Sequence, residues 1–179
     1  MPGVDYIGME SFAHCENLKE IALPETLGKI WKAAFADCKA LEEINIPSHL
    51  KIIDKSAFRS SGLKSLNIVI SEDCKCWIYD RSFASCKHLE SVYLNKNVKI
   101  VERMAFAGCT SLKTIEFEQP SLTCFAGEIN ATMLIGCTSL DKIIVPKNKY
   151  NHYPDFNIQG YESAQFETRD FNSLVTPKE

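Results

Sequence analysis

Eight cysteines and four histidines are the residues of this 179-residue sequence that could bind a metal or act as nucleophiles. Thiolates and imidazoles are the common protein ligands of zinc, and a cysteine beside a histidine can perform nucleophilic catalysis. Five cysteines recur in one sequence context, three residues after an apolar residue: Cys15, Cys38, Cys86, Cys109 and Cys137. A recurrent position favours a column of small buried thiols. Zinc or disulfides are the alternatives for this column.

The other three cysteines, Cys74, Cys76 and Cys124, lie outside that context. A Cys-x-Cys pair with no second pair at metal spacing does not make a zinc site, although Cys74 or Cys76 could form a disulfide in an oxidising compartment. The histidines are scattered, and the sequence has no glycine-rich phosphate loop, nucleophile elbow or His-Glu-x-x-His motif. We therefore predict no enzymatic activity, no cofactor and no metal site.

Composition excludes two further classes of function. The net charge is -3 and the pI is near 5.8, so the chain has no basic field with which to bind nucleic acid. No apolar run approaches the roughly 18 residues of a membrane-spanning helix. The first fifteen residues also lack the features of a secretory signal, which predicts either a cytosolic protein or a piece of a longer chain.

The element that positions the cysteines is a repeat of about 23 residues. Its apolar anchors are separated by 23, 23, 25, 23 and 28 residues: Phe12, Phe35, Phe58, Phe83, Phe106 and Leu134. Another apolar residue comes five positions before each anchor: Ile7, Ile30, Ile53, Ile78, Val101 and Ile129. Because one such unit is too small to bury its own apolar residues, the pattern predicts units that stack into a solenoid.

Six residues after most anchors comes a segment of the form Leu-x-x-apolar-x-apolar. The segments are LKEIAL (18–23), LEEINI (41–46), LKSLNI (63–68), LESVYL (89–94), LKTIEF (112–117) and LDKIIV (140–145). Their alternation is typical of half-buried strands, and proline follows three of them, at Pro24, Pro47 and Pro146. The sequence predicts that these strands form a parallel sheet along the stack.

These motifs resemble the BspA-type class of leucine-rich repeats, and AFADCKALEEINIPSHLKIIDKS (34–56) matches its consensus nearly position for position. The resemblance implies an α/β, mainly β fold, a right-handed solenoid with a parallel sheet of about six strands. It covers about Ile7 to Pro146. The departures are Ser61 in place of cysteine with a one-residue deletion before Leu63, the extended segment 69–77 and an insertion around 119–129.

The repeat predicts two regions, an array at 1–146 and a C-terminal cap or tail at 147–179. Six aromatic residues and few aliphatic ones follow Pro146. A solenoid end exposes core columns, so we expect the stretch from Tyr150 to Phe156 to fold over the last unit. Beyond about Tyr161 the chain could be a tail or a strand that packs along the stack.

Two sets of exposed residues are candidates for binding. The first lies at the outward strand positions of the face predicted to be concave: Glu43, Asn45, Asn67, Ser91, Tyr93, Thr114 and Glu116. A merely solvated sheet face is the alternative. The second consists of Trp31, Trp77 and Tyr79, beside the Ile30 and Ile78 columns, and edge packing is the alternative there.

The residue after each strand leucine alternates in charge along the stack: Lys19, Glu42, Lys64, Glu90, Lys113 and Asp141. The alternation predicts opposite charges on neighbouring strands, which would fix their register.

The resemblance implies a surface-associated module that recognises a protein, or a glycan, and catalyses no reaction. The expected partner is a host matrix or cell-surface protein. The expected location is extracellular or at the cell surface, as part of a longer chain. An intracellular, cytoplasmic scaffold is the alternative.

Overall fold

The structure, a computed structural model, describes residues 3–118, 131–146 and 165–169. Each sequence unit forms one turn of a solenoid, and equivalent residues of neighbouring turns lie side by side. The described strands form two parallel sheets of five strands each. Sheet A contains β1 (Tyr6–Ile7), β2 (Lys29–Ile30), β3 (Ile52–Ile53), β5 (Cys76–Ile78) and β7 (Val98–Val101). Sheet B contains β4 (Ser65–Ile68), β6 (Ser91–Leu94), β8 (Thr114–Phe117), β9 (Lys142–Pro146) and β10 (Gln165–Arg169).

The predicted mainly β solenoid with a parallel sheet is confirmed. A short 3₁₀ helix, Ala131–Leu134, is the single helical element among the described residues. In that part of the chain no helix is long and apolar enough to cross a membrane.

Sheet A is the addition that the sequence did not predict. The apolar column five residues before the anchors forms its inner row, and Ile7, Ile30, Ile53, Ile78 and Val101 are all buried. Three of its strands are two residues long. A two-residue strand is too short to show an alternating pattern, so the sequence revealed the column but not the ladder of hydrogen bonds beside it.

Sheet B forms along four of the six predicted strand segments. The segments of the first two units, 18–23 and 41–46, lie beside it without a strand ladder. Between these two segments Glu20 and Glu43 occupy equivalent exposed positions, and like charges at facing positions weaken the pairing of strands. A backbone hydrogen bond from the N–H of Lys64 to the carbonyl of Glu42 (3.0 Å) still ties the second unit to the third.

The anchor phenylalanines form a continuous stack through the core. Ring centroids of neighbours lie 5.1 Å apart at Phe12 and Phe35, 5.1 Å at Phe35 and Phe58, 5.2 Å at Phe58 and Phe83, and 5.4 Å at Phe83 and Phe106. The rings are within 7° of parallel. All but Phe12 are fully buried, so the predicted anchor column is confirmed.

The cysteine column is a row of buried thiols at four of its five predicted members. The prediction is wrong for Cys15, which is exposed in the first turn because no turn covers it on one side among the described residues. Each buried thiol donates to the carbonyl of the anchor in the preceding unit: Cys38 to Phe12 (3.1 Å), Cys86 to Phe58 (3.1 Å), Cys109 to Phe83 (3.2 Å) and Cys137 to Phe106 (3.1 Å). Ser61, which replaces a cysteine, keeps the row polar through a 3.3 Å contact between its hydroxyl and the Cys86 thiol. The seven described cysteines are free thiols.

A third ladder of hydrogen bonds runs along the anchors. We call the residues from two before to two after each anchor the turn ladder. The two outer positions adopt left-handed φ values, which lie between 54° and 60° at nine non-glycine residues, Ala33 and Arg81 among them. That conformation is uncommon for residues with a side chain. It is held by bonds between turns, such as the N–H of Phe58 to the carbonyl of Ser82 (2.7 Å).

The C-terminal segment contributes the last strand of sheet B. Strand β10 pairs with β9 in parallel, with Gln165 opposite Lys142 and Arg169 opposite Pro146. The stretch from Tyr150 to Phe156, for which we predict a position over the last unit, lies outside the described residues, as does Cys124.

Candidate functional site

The outer face of sheet B carries five of the seven predicted binding residues. Strand pairing places them in two rows: Ser65, Ser91, Thr114 and Lys142 form one, and Asn67, Tyr93, Glu116 and Ile144 form the other. Asn67 and Ser91 are exposed, as are Glu43 and Asn45 of the unpaired segment beside the sheet. Thr114, Tyr93 and Glu116 are half-buried.

Tyr93 is tied to the protein itself. Its hydroxyl donates to a carboxylate oxygen of Glu118 at 2.5 Å, and the other oxygen of Glu118 accepts the backbone N–H of Lys96 at 2.9 Å. Burial, and then the hydrogen bond to the Glu118 carboxylate, raise the pKa of Tyr93 above its ordinary value. Tyr93 therefore presents an oriented hydroxyl that already has a partner.

Glu116 is tied in the same way. Its carboxylate pairs with the guanidinium of Arg169, and β9 lies between the strands of the two residues. The ion pair therefore crosses over β9, at whose outward position Ile144 is 3% exposed. The sequence pattern predicts neither of these partners, Glu118 and Arg169. Glu118 directly follows its strand segment, at the position where three other units have proline, and this departure from the repeat could have marked it. Arg169 lies outside the repeat, so no comparison between units could mark it.

The alternating charges form the predicted ladder beside sheet B. Lys64 pairs with Glu42 at 2.6 Å and Lys113 pairs with Glu90 at 2.8 Å. The hydrogen bond from each lysine lowers the pKa of its glutamate. All four side chains are more than half exposed, so the pairs contribute little to stability and act mainly on register.

A shallow cavity of about 390 Å³ lies between the first two units, where the strand ladder is absent. It is lined by Lys19, Glu20, Ala40, Glu42 and Glu43. Three carboxylates against one ammonium make this end of the surface acidic. Glu43, one of the predicted binding residues, lies in the wall of this cavity.

The described residues contain no group of three histidine, cysteine, aspartate or glutamate side chains that could hold a metal ion. The two closest contacts between a histidine and a carboxylate are His14 with Asp37 at 3.8 Å and His49 with Asp73 at 3.9 Å. Both histidines are more than half exposed, and their partners belong to different loops. Neither contact therefore pairs a nucleophilic side chain with a general base.

The thiols differ in their expected reactivity. Burial raises the pKa of Cys38 to about 11 and that of Cys76 to about 12, whereas Cys15 is exposed. Because the thiolate is the reactive form, about one Cys38 thiol in a thousand is reactive at pH 8. We expect iodoacetamide at pH 8 to alkylate Cys15 in the native protein and to leave Cys38 and Cys76 unmodified until the protein is unfolded.

Peptide mapping by mass spectrometry measures this difference at each cysteine, with labelling in denaturant as the control. Native labelling of Cys38 as fast as that of Cys15 would contradict the buried thiol column.

The sequence matches the family model described as the BspA-type leucine-rich repeat region, in six copies, over residues 2–76 and 76–168. The chain belongs to this family. The match confirms the resemblance inferred from the anchors, the cysteines and the strand leucines. BspA-type repeats form interaction modules, and protein binding is their general role.

Two solved structures are similar to this BspA-type chain. The pneumococcal vaccine antigen PcpA shares 20% sequence identity with a TM-score of 0.66, over 93% of this chain and 39% of that one. A leucine-rich repeat protein from Bacteroides ovatus shares 20% identity with a TM-score of 0.45, over 94% of this chain and 59% of that one. The first likeness shows the fold. The chain spans less than two thirds of the length of either neighbour. No curated protein matches the sequence significantly.

The second predicted set of the BspA-type chain lies on the other sheet. Trp77 is in β5, and Trp31 and Tyr79 directly follow β2 and β5. All three are half-buried on or beside the outer face of sheet A.

Proposed function

We propose that the chain is a non-enzymatic protein recognition module of a cell-surface or secreted, adhesin-like protein, and that it binds its ligand through the outer face of sheet B. The contact residues we propose are those predicted from the sequence, together with Ser65, which strand pairing places opposite Ser91. Five exposed short or acidic side chains form the centre of this surface, which we call the polar patch: Glu43, Asn45, Ser65, Asn67 and Ser91.

The observation that carries the proposal is the presentation of the exposed polar patch on and beside a hydrogen-bonded parallel sheet. Asn67 and Ser91 lie on strands held in register by neighbouring turns. Serine and asparagine lose little side-chain entropy when they are ordered and can both donate and accept hydrogen bonds. Such residues on a rigid sheet suit recognition of a protein surface.

Tyr93 and Glu116 have a different role in this proposal. Their partners Glu118 and Arg169 fix them in one orientation before a ligand arrives. Groups that are already ordered lose less entropy on binding. We therefore assign them to the border of the surface, with the polar patch as the adaptable centre.

The family and one structural neighbour support a location at the surface. BspA-type repeats are associated with surface or secreted proteins, and the neighbour PcpA is a vaccine antigen. A scaffold inside the cell is the second candidate, which the seven free thiols favour, because disulfides persist in oxidising compartments. Biotinylation of intact cells with a reagent that does not cross membranes separates the two locations.

The proposal predicts that Asn67→Arg weakens binding to the ligand. The long charged side chain would stand in the polar patch, in the row beside the pair formed by Ser65 and Ser91. We expect a loss of about tenfold or more in affinity, which corresponds to about 1.4 kcal/mol. Binding is measured on a panel of immobilised collagen, laminin and fibronectin and on whole host cells, so that a bound partner is identified first.

Met9→Arg is the matched control because it adds the same charge at an exposed side chain, 62% accessible, outside sheet B. Its affinity should equal that of the parent. Equal losses in the two variants, or no loss in Asn67→Arg, would refute binding through the polar patch.

A further inference from the structure

The outer face of sheet A carries an apolar and aromatic row that nothing in the protein covers among the described residues. Strand pairing aligns five outward side chains across all five strands: Tyr6, Lys29, Ile52, Trp77 and Ile100. Tyr6 is 60% exposed and the last three are half-buried. Two more aromatic residues, Trp31 and Tyr79, come next to this row and are also half-buried. Rings therefore line a surface at least four turns long.

Lysines accompany this row on three successive turns. Lys29 lies in the row, and Lys51 and Lys75 directly precede β3 and β5. All three are exposed, and none pairs with a carboxylate of the described chain. Lys64 and Lys113, beside sheet B, each hold a glutamate instead. Three ammonium groups without an ion pair to the described residues therefore lie beside the rings of sheet A.

The acidic residues that follow the strands of this face are already occupied. A carboxylate oxygen of Asp54 accepts the N–H of Lys55 at 2.7 Å, and one of Glu102 accepts the N–H of Asp80 at 2.9 Å. Asp73, in the loop before β5, accepts the hydroxyl of Ser71 at 2.6 Å. These hydrogen bonds fix the carboxylates locally, and the bond from Ser71, together with the smaller effect of the Lys51 charge, lowers the pKa of Asp73. No ion pair with the described residues holds the three lysines in place.

One lysine already lies against a ring of this face. The ammonium nitrogen of Lys29 is 5.3 Å from the centroid of the Trp31 ring. This cation–π contact holds the charge next to the flat apolar surface. A ligand that combines a negative group with an apolar face would meet both features within one turn.

We propose that the outer face of sheet A binds a linear anionic polysaccharide. Lys29, Lys51 and Lys75 lie on consecutive turns about 4.8 Å apart, each one residue earlier in its turn than the one before, so they form an oblique row across the strands. A flexible polymer with carboxylate or sulfate groups along its length can follow such a row. The C–H faces of its sugar rings pack against the half-buried aromatic rings, which offer one side to a ligand.

The geometry fits this polymer better than a peptide. A peptide recognised as an added strand needs a free sheet edge, whereas this surface is a sheet face whose backbone groups bond to neighbouring turns. Single-stranded nucleic acid is the competing ligand, because its bases can stack on the same rings, and the test includes it.

The test compares dextran sulfate with neutral dextran, which share a sugar backbone, by affinity electrophoresis of the full chain. We expect retardation by dextran sulfate and none by dextran. The variant with Lys29→Ala, Lys51→Ala and Lys75→Ala should lose about tenfold or more in affinity. Retardation of the parent by neither polymer would overturn the proposal.

The matched control removes three charges elsewhere, with Lys39→Ala, Lys64→Ala and Lys113→Ala. These lysines lie 2.6, 2.6 and 2.8 Å from Glu16, Glu42 and Glu90, and the net charge changes by the same amount. The control should keep the affinity of the parent within about twofold. An equal loss in both triple variants would show attraction by overall charge and overturn a site on sheet A.

Trp77→Leu tests the role of the ring, because leucine preserves an apolar side chain in β5 but removes the flat surface. We expect a loss of about threefold or more in affinity for dextran sulfate, with an unchanged melting temperature as evidence of folding. An unchanged affinity would overturn sugar packing on the rings. Equal or tighter binding of single-stranded oligothymidine or polyglutamate would overturn the choice of a polysaccharide. None of these measurements involves the polar patch on sheet B. A negative result on sheet A would therefore leave the proposed function untouched, and the reverse also holds.

Discussion

Phe83→Ala is expected to lower the free energy of unfolding by about 3–5 kcal/mol, the usual cost of deleting a buried phenylalanine side chain. Phe83 is fully buried and stacks between Phe58 at 5.2 Å and Phe106 at 5.4 Å. Its removal leaves a cavity in the middle of the stack and ends the contact between the turns on either side. Urea denaturation followed by circular dichroism measures the change.

Phe12→Ala is the control at the end of the same column. Phe12 is half-buried and stacks on one described neighbour, Phe35, at 5.1 Å. Its loss exposes less apolar surface to water, and we expect less than half the destabilisation found for Phe83. A larger effect at Phe12 than at Phe83, or no change in Phe83→Ala, would show that the anchor column is not the main source of stability.

Gly62→Ala is expected to cost about 1–3 kcal/mol although it adds a single methyl group, because overpacking a tight contact is destabilising. A Cβ at position 62 would lie 2.1 Å from the backbone carbonyl oxygen of Lys39. The backbone cannot move away freely, since the N–H of Gly62 donates to the carbonyl of Cys38 at 3.2 Å. The one-residue deletion before Leu63 shortens this connection and brings it against the preceding turn.

Gly28→Ala is the matched control for this substitution. A Cβ there would lie 3.6 Å from the carbonyl oxygen of Asp5, which is an ordinary contact. Alanine restricts the unfolded chain, so the control should be neutral or stabilising by about 0.4–1 kcal/mol. Similar midpoints of urea denaturation for the two variants would contradict the steric account of Gly62.

The sequence predicted the parts of this fold that recur in every unit. Phenylalanine and cysteine return at fixed spacing because the same pocket of the core returns in each turn. The sign alternation at Glu42, Lys64, Glu90 and Lys113 predicted ion pairs because strand register places those residues side by side. Because the repeat shows each position of the unit several times, a preference for one residue type can be recognised at that position although a single unit would not reveal it.

Other features were beyond the sequence because each depends on a single pair of distant residues. Tyr93 and Glu118 are 25 residues apart, and Glu116 and Arg169 are 53 apart, outside any shared period. Their contacts change which predicted binding residues are free on sheet B. The left-handed turns were hidden for another reason, since residues such as Ala33 and Arg81 carry no glycine signal. Hydrogen bonds between turns override their local preference.

The turn ladder also has a direction. Along it the N–H groups of Phe12, Phe35 and Phe58 all donate to the following turn, so their peptide dipoles point the same way. Aligned peptide dipoles add up, as they do along a helix axis. Beside sheet A the bonds run the other way, from the N–H of Trp31 to the carbonyl of Ile7 and from the N–H of Asp54 to the carbonyl of Ile30. The two directions oppose each other within a turn, so the stack can add turns without a matching growth of its dipole.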